Sequence, residues 1–176
     1  IKIKRHVFTQ RLNMELHQEI KTLAAQLGVI LTDKRLWITT AESCTGGGVS
    51  YALTDTPGSS GYLGRAFVTY SNEAKHELLN VANTTLEQFG AVSEQTVKEM
   101  AFGAASVAKA DVAVAISGIA GPGGATSDKP VGFVWFCIQI ANEQFTFKQI
   151  FNGDRAQVRM QAIEFALKST IEKIKL

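Results

Sequence analysis

The side chains that could do chemistry in this sequence fall in a few short loops. Glu42, Ser43, Cys44 and Thr45 stand in the first, Ser59 and Ser60 in the next, then Tyr70, Asn72 and Lys75, and further on Ser117 and Arg155. A metal centre needs clustered His, Cys or carboxylate ligands. His6, His17 and His76 share no ligand spacing with one another or with Cys44, so no metal and no cofactor are expected. A Ser-His-Asp triad is short of a histidine, because only His76 falls near a candidate loop. Neither glycine-rich loop ends in Gly-Lys-Ser/Thr, which excludes a Walker loop. What remains is a serine nucleophile with a lysine or tyrosine as base. Burial can depress a lysine pKa until the amine is a usable base near neutral pH. The ordinary fate of Lys75, a solvated lysine on a helix, stays open at this point.

These residues must be positioned by the elements around them. Leu36–Thr40 is a β-branched strand, and Ala41–Gly48 leads from it through small residues and three glycines into a helix over Gly46–Leu53. Glycines let backbone approach a ligand. The first N–H groups of that helix lack partners within it and are expected to face an anion or a developing oxyanion. The plainer alternative is a capped helix start packed on a sheet. Before this strand, Leu16, Ile20, Leu23, Ala24 and Leu27 recur at helical spacing over Leu12–Leu27, with Gly28 as the expected stop. Arg65–Tyr70 reads as a strand, and Ser71 as the cap of a short helix through Lys75 and Leu78. Thr84 and Glu87 have capping-box spacing. Ser93 opens a long helix to about Lys109, with Val97, Met100, Ala101, Ala104 and Val107 inward. Asp111–Ile116 is apolar almost throughout, as a central parallel strand is, and runs into the second glycine-rich loop, Ser117–Gly124. Gly132–Ile140 and Gln144–Phe151 read as a hairpin, and Asp154 with Gln157 as the capping pair of the last helix.

Helices alternating with strands, then a hairpin, predict a three-layer α/β/α sandwich with a mixed, mostly parallel sheet. In such sheets ligands sit at the carboxyl ends of strands. The loops after Thr40, Tyr70 and Ile116 all fall there.

The 176 residues suit one domain, 12–176, preceded by a basic extension, 1–11, that carries Lys2, Lys4, Arg5 and Arg11. That extension reads as a solvated terminus rather than a nucleic-acid arm. Hydrophobic residues at 45% and charged residues at 19% exclude a disordered chain, and a net charge of +2 gives no reason to expect nucleic acid. No window reaches the length of a membrane span, and no apolar h-region follows the basic start. Cys44 and Cys137 are far apart in sequence, so a disulfide is not expected and a reducing cytoplasm fits.

Seven blocks occur in one order: Ala41–Gly47, Pro57–Ser60, Val68–Lys75, Gly90–Glu94, Ser117–Gly124, Lys129–Gly132 and Gly153–Arg155. Together they resemble the C-terminal domain of the CinA (competence/damage-inducible) family, over about Leu12 to the C-terminus. The resemblance is to its stand-alone form, which lacks the molybdopterin-like N-terminal domain of full-length members. The resemblance implies an α/β/α amidohydrolase that converts nicotinamide mononucleotide to nicotinate mononucleotide and ammonia. It implies Ser43 as nucleophile with Tyr70 and Lys75 as the other catalytic residues. Thr45, Gly46, Gly47, Ser60, Asn72, Ser117, Gly118 and Arg155 are then the expected substrate-binding set, Arg155 for phosphate because its planar fork binds two oxygens at once. Backbone N–H groups around Cys44–Gly46 are the expected oxyanion donors. The expected partners are this nucleotide and further copies of the chain, with no nucleic acid and no membrane. Gly48 departs from the family's look, standing where a larger residue is common, and so does the basic extension. Two alternatives stay open. One is a hydrolase dependent on Cys44, whose thiol at a helix start could have a lowered pKa. The other is a pyridine-nucleotide-binding module without turnover.

Overall fold

The structure, a computed structural model, describes the backbone of residues 2–175 and the side chains of residues 13–175. Its elements are α1 (Lys2–Lys34), β1 (Ile38–Glu42), α2 (Gly48–Thr54), β2 (Phe67–Val68), α3 (Asn72–Leu79), α4 (Asn83–Phe89), α5 (Glu94–Ala108), β3 (Val112–Gly118), β4 (Phe133–Ile140), β5 (Glu143–Ile150) and α6 (Arg155–Ile174). The sheet order is β2-β1-β3-β4-β5. β1 pairs in parallel with both β2 and β3, and the hairpin adds β4 and β5 by antiparallel pairing. This is the three-layer mixed sheet that the pattern of helices and strands predicts.

The period-2 alternation of strands sorts the core into two faces. Ile38, Val112, Val114, Ile116, Val134, Phe136 and Ile138 point to the side covered by α1, α2 and α6. Ala41, Ala113, Ala115 and Cys137 point to the side covered by α5, with α3 and α4 outside it. Alanines on that face let α5 lie close to the sheet. Gly103 of α5 meets the Leu79 carbonyl of α3 where a Cβ could not fit. On the other face Phe165 of α6 packs on Phe136 of β4, ring centroids 4.7 Å apart. That contact seats the helix whose first turns reach the site.

Several boundaries differ from those read in the sequence. The first helix does not stop at Gly28 but runs on to Lys34 and ends at Arg35, in the left-handed conformation with φ 56°. Gly28 serves packing instead: a Cβ there would lie 2.7 Å from the Tyr62 hydroxyl. The backbone of the basic extension continues this helix, while the side chains of Lys2, Lys4, Arg5 and Arg11 lie outside the described residues. The strand expected over Arg65–Tyr70 contracts to Phe67–Val68. α4 is not capped by Thr84. Glu99 reaches across from α5 and accepts from the Ala82 N–H at 2.7 Å and the Thr85 hydroxyl at 2.6 Å. Gly48 faces Ile163 of α6 so closely that a larger residue would displace it.

Ser71, Ser93 and Asp154 do cap their helices, accepting from the N–H groups of Ala74, Thr96 and Gln157. Asp154 and Gln157 complete a capping box. Among the described residues no helix is long and apolar enough to cross a membrane.

Candidate active site

The carboxyl ends of β1, β2 and β3 meet at one cleft of about 280 Å³, whose lining includes Ser43, Tyr70, Lys75, Ser117 and Arg155. A larger groove of about 910 Å³ lies along the outer side of α5, lined by Glu99, Phe102 and Gln139 among others. It contains neither the serine nor the buried lysine, so the smaller cleft is the one with the means for chemistry.

Ser43 follows β1 directly. Its N–H is held by the Ile116 carbonyl of β3 at 2.9 Å, which fixes the start of the turn. Strand alternation carries the Ser43 side chain to the α3 and α5 side, opposite to Glu42. Lys75 comes to it from α3. Only 1% of Lys75 is exposed, and its Nζ donates to Ser43 Oγ at 3.1 Å and to the Thr69 carbonyl at 2.7 Å. Among the described residues no carboxylate is a hydrogen-bond partner of this amine. Burial holds the amine well below the ordinary lysine value, at about 8, with a small opposing influence from Cys44. The lysine is therefore not the solvated one that is usual on a helix. An amine so placed can take the proton of the hydroxyl beside it.

Cys44 is buried, and burial pushes its thiol up to about 11. The lowered thiol pKa that a helix start could have provided is not found. Part of the reason lies in Glu42, which is fully buried. Its carboxylate accepts from the Val49 N–H at 3.0 Å, the Ser50 N–H at 2.9 Å and the Thr45 hydroxyl at 2.7 Å. The N-terminus of α2, expected to face an anion from outside, is already occupied by an anion from within the chain. Donors for an oxyanion must then come from the turn before the helix. There the Gly46 N–H donates to the Ser43 carbonyl and the Gly48 N–H to the Thr45 carbonyl. Of Cys44, Thr45 and Gly46, Cys44 alone lines the cleft. Gly46 and Gly47 make this tight path possible, with φ 60° and 93° in the left-handed region that glycine tolerates.

Of the remaining predicted residues, Tyr70 stands at the mouth, 60% exposed. Its hydroxyl accepts from Arg155 Nη2 at 3.0 Å, and Arg155 Nη1 donates to the Gly121 carbonyl at 2.7 Å. Tyr70 is thus brought to the cleft but bonded to Arg155 rather than to Ser43. Ser117 and Gly118 line the cleft, but the Ser117 hydroxyl is already given to the Ala91 carbonyl at 2.7 Å. Thr45 is fully buried and turned to Glu42. Gly46, Gly47, Ser60 and Asn72 do not line the cleft; Ser60 lies exposed in a single helical turn and Asn72 exposed at the first residue of α3.

Two residues of the site escaped the sequence reading. Glu42 was in view only as one polar group of the loop, although a carboxylate one residue before the nucleophile and seven before a helical N–H can fold back as a cap. Arg159 is not among the residues that the sequence singles out. It lies four residues after Arg155, hence on the same face of α6, and that spacing was the available signal. Its Nε donates to the Cys44 carbonyl and its Nη2 to the Thr45 carbonyl, each at 3.1 Å. Among the described residues no three His, Cys, Asp or Glu side chains gather as a metal site.

Fold and site together define a class: α/β/α proteins whose serine and buried lysine pair at the carboxyl ends of parallel strands. Within it, the chain belongs to the CinA C-terminal domain family, whose family model matches residues 20–174. Its relatives include the nicotinamide-nucleotide amidohydrolase PncC of Enterobacter agglomerans, 52% identical over 157 residues, which cover 89% of this chain and 96% of that one. The protein of the same name from Escherichia coli K12 is 51% identical over 152 residues, covering 86% and 92%. Among solved structures, the competence/damage inducible protein CihA from Agrobacterium tumefaciens superposes with a TM-score of 0.87 at 39% identity, covering 90% of this chain and 96% of its own.

Proposed function

We propose that the protein hydrolyses the carboxamide of nicotinamide mononucleotide, giving nicotinate mononucleotide and ammonia. The observation that carries the mechanism is the buried pair of Lys75 Nζ and Ser43 Oγ at 3.1 Å. The activity is that named for relatives at about 52% identity over most of both chains. In the first half-reaction neutral Lys75 takes the Ser43 proton as Oγ bonds to the amide carbon. The resulting ammonium returns that proton to the leaving nitrogen, the C–N bond breaks, and ammonia departs. In the second half-reaction Lys75 takes a proton from water, the water oxygen attacks the ester, and Ser43 is regenerated as the acid leaves. The Thr69 carbonyl fixes the amine throughout.

A cleft of about 280 Å³ accommodates the amide-bearing ring and leaves the ribose phosphate along the mouth, where Arg155 and Tyr70 stand. Arg155 is the phosphate ligand in this reading, and Tyr70 its support. A thiol nucleophile gains nothing here, since a group held at about 11 is almost wholly protonated near neutral pH. A module that only binds nucleotides has no use for a lysine buried against a serine. Two free, buried cysteines suit a reducing compartment, and we place the reaction in the cytoplasm.

The test is direct. The purified protein is incubated with nicotinamide mononucleotide, ammonia is assayed, and the nucleotide product is separated by charge. Stoichiometric ammonia and nicotinate mononucleotide support the reading. Binding without ammonia would return the protein to the nucleotide-binding class.

A further inference from the structure

We propose that Arg159 is a positioning residue of the acyl-transfer step: it holds the turn after Ser43 in shape and so keeps the nucleophile against Lys75. The inference rests on the serine acyl-transfer reading above. Its basis is where the guanidinium spends its hydrogen bonds. One edge of the fork, Nε and Nη2, spans two consecutive backbone carbonyls, Cys44 and Thr45, each at 3.1 Å. Neither bond goes to an acid, and Arg159 does not line the cleft. Its target is the backbone of the turn itself.

The consequence follows from the bonding of the turn. Within it the Gly46 N–H is spent on the Ser43 carbonyl and the Gly48 N–H on the Thr45 carbonyl. The guanidinium adds two further bonds, to the Cys44 and Thr45 carbonyls. Thr45 is fully buried and does not line the cleft, so the guanidinium acts on the backbone path that carries Ser43 and not on the substrate.

The surroundings are built for this contact. A Cβ at Gly46 would lie 3.4 Å from Arg159 Nη2, so the glycine leaves room for the guanidinium to reach the turn. From the opposite side Glu42 holds the Thr45 hydroxyl and the first N–H groups of α2. The turn is thus gripped by a carboxylate within and a guanidinium without. The capping box of Asp154 and Gln157 sets the first turn of α6. Residues 155 and 159 then project from one face, Arg155 to the mouth of the cleft and Arg159 beneath the nucleophile.

The experiment compares Arg159→Met, which keeps the stem and loses every donor, with Arg159→Lys and Arg159→Ala. For Arg159→Met we expect kcat on nicotinamide mononucleotide to fall about ten- to a hundredfold, the cost of misplacing the nucleophile by up to about 1 Å. KM should be nearly unchanged. Arg159→Lys, with one point charge in place of a fork, should fall between wild type and Arg159→Met. Added guanidinium ion at sub-denaturing concentration should restore part of kcat to Arg159→Ala and none to Ser43→Ala, a recovery that a role in folding alone would not give. A kcat equal to wild type in Arg159→Met overturns the proposal. So does a loss confined to KM, which would make Arg159 a substrate ligand, or a loss in Arg159→Ala that guanidinium does not relieve. If Arg159→Met does not fold, Arg159→Lys decides: wild-type kcat there contradicts the need for the fork. A wild-type protein that releases no ammonia would instead bring down the underlying reading, so the two failures are told apart.

Discussion

Raising the pH should switch this enzyme on through one group. Lys75 must be neutral to accept the Ser43 proton, and burial holds it at about 8. At pH 7 about 9% of the protein then carries a neutral Lys75 and at pH 9 about 91%, so kcat/KM should rise about tenfold between them and level off above. The window is clean on both sides. A substrate phosphate loses its second proton near pH 6, and Cys44, the thiol nearest the pair, stays protonated until about 11. The assay is initial ammonia release from nicotinamide mononucleotide at constant ionic strength, well below KM, where the profile reports the free enzyme. Lys75→Arg should abolish the rise together with the activity, because arginine cannot give up its proton in this range. A flat or falling profile between pH 7 and 9, or a Lys75→Arg variant with near wild-type kcat, would refute the base role. Tyr70 would then be the group to test.

Other expectations follow from the same geometry. Ser43→Ala should remove deamidation and keep the fold, whereas Cys44→Ala should retain substantial activity; the reverse would promote the thiol. Arg155→Ala should raise KM for the nucleotide by about ten- to 150-fold, the worth of a charge-assisted bond of roughly 1.5–3 kcal/mol, and should matter far less for a substrate without phosphate. Equal losses on both would assign Arg155 to the architecture of the mouth. Glu42→Ala leaves two helix N–H groups and the Thr45 hydroxyl without their acceptor, and urea denaturation should show a loss of about 2–4 kcal/mol. Stability should also depend on pH through Lys75. Between pH 8 and 10.5 the unfolded chain binds a proton that the folded chain does not, so the stability of wild type relative to Lys75→Met should rise across that window, by about 3 kcal/mol in all. No such rise in urea midpoints would mean that the amine is not depressed.

The strands and helices that build the cleft were legible because each rests on a local rule. The alternation of Val112, Val114 and Ile116 against Ala113 and Ala115 sorts two faces, and Ser71, Ser93 and Asp154 sit where caps are needed. The convergence of loops after β1, β2 and β3 follows from parallel topology. The misses have one physical origin, in that they depend on what packs from a distance. Gly28 looks like a helix stop until Tyr62, from another loop, occupies the space beside it. Thr84 and Glu87 carry the spacing of a capping box, but Glu99 of another helix supplies the acceptor. Local spacing also left the fate of Lys75 open, because a short helix with one lysine does not say which side meets the sheet. Arg159 was missed because its partners are backbone carbonyls, which leave no mark in a sequence.

The central claim is that Ser43 forms a covalent ester on the way from amide to acid. Hydroxylamine partitioning measures it most directly, since this amine competes with water for an acyl-enzyme and yields a hydroxamate. With nicotinamide mononucleotide and rising hydroxylamine, the wild-type protein should release ammonia while a growing share of nucleotide product is hydroxamate, and Ser43→Ala should make neither. Ammonia release with only the acid formed at every hydroxylamine concentration would contradict the account, because water would then be attacking the amide without an ester on Ser43.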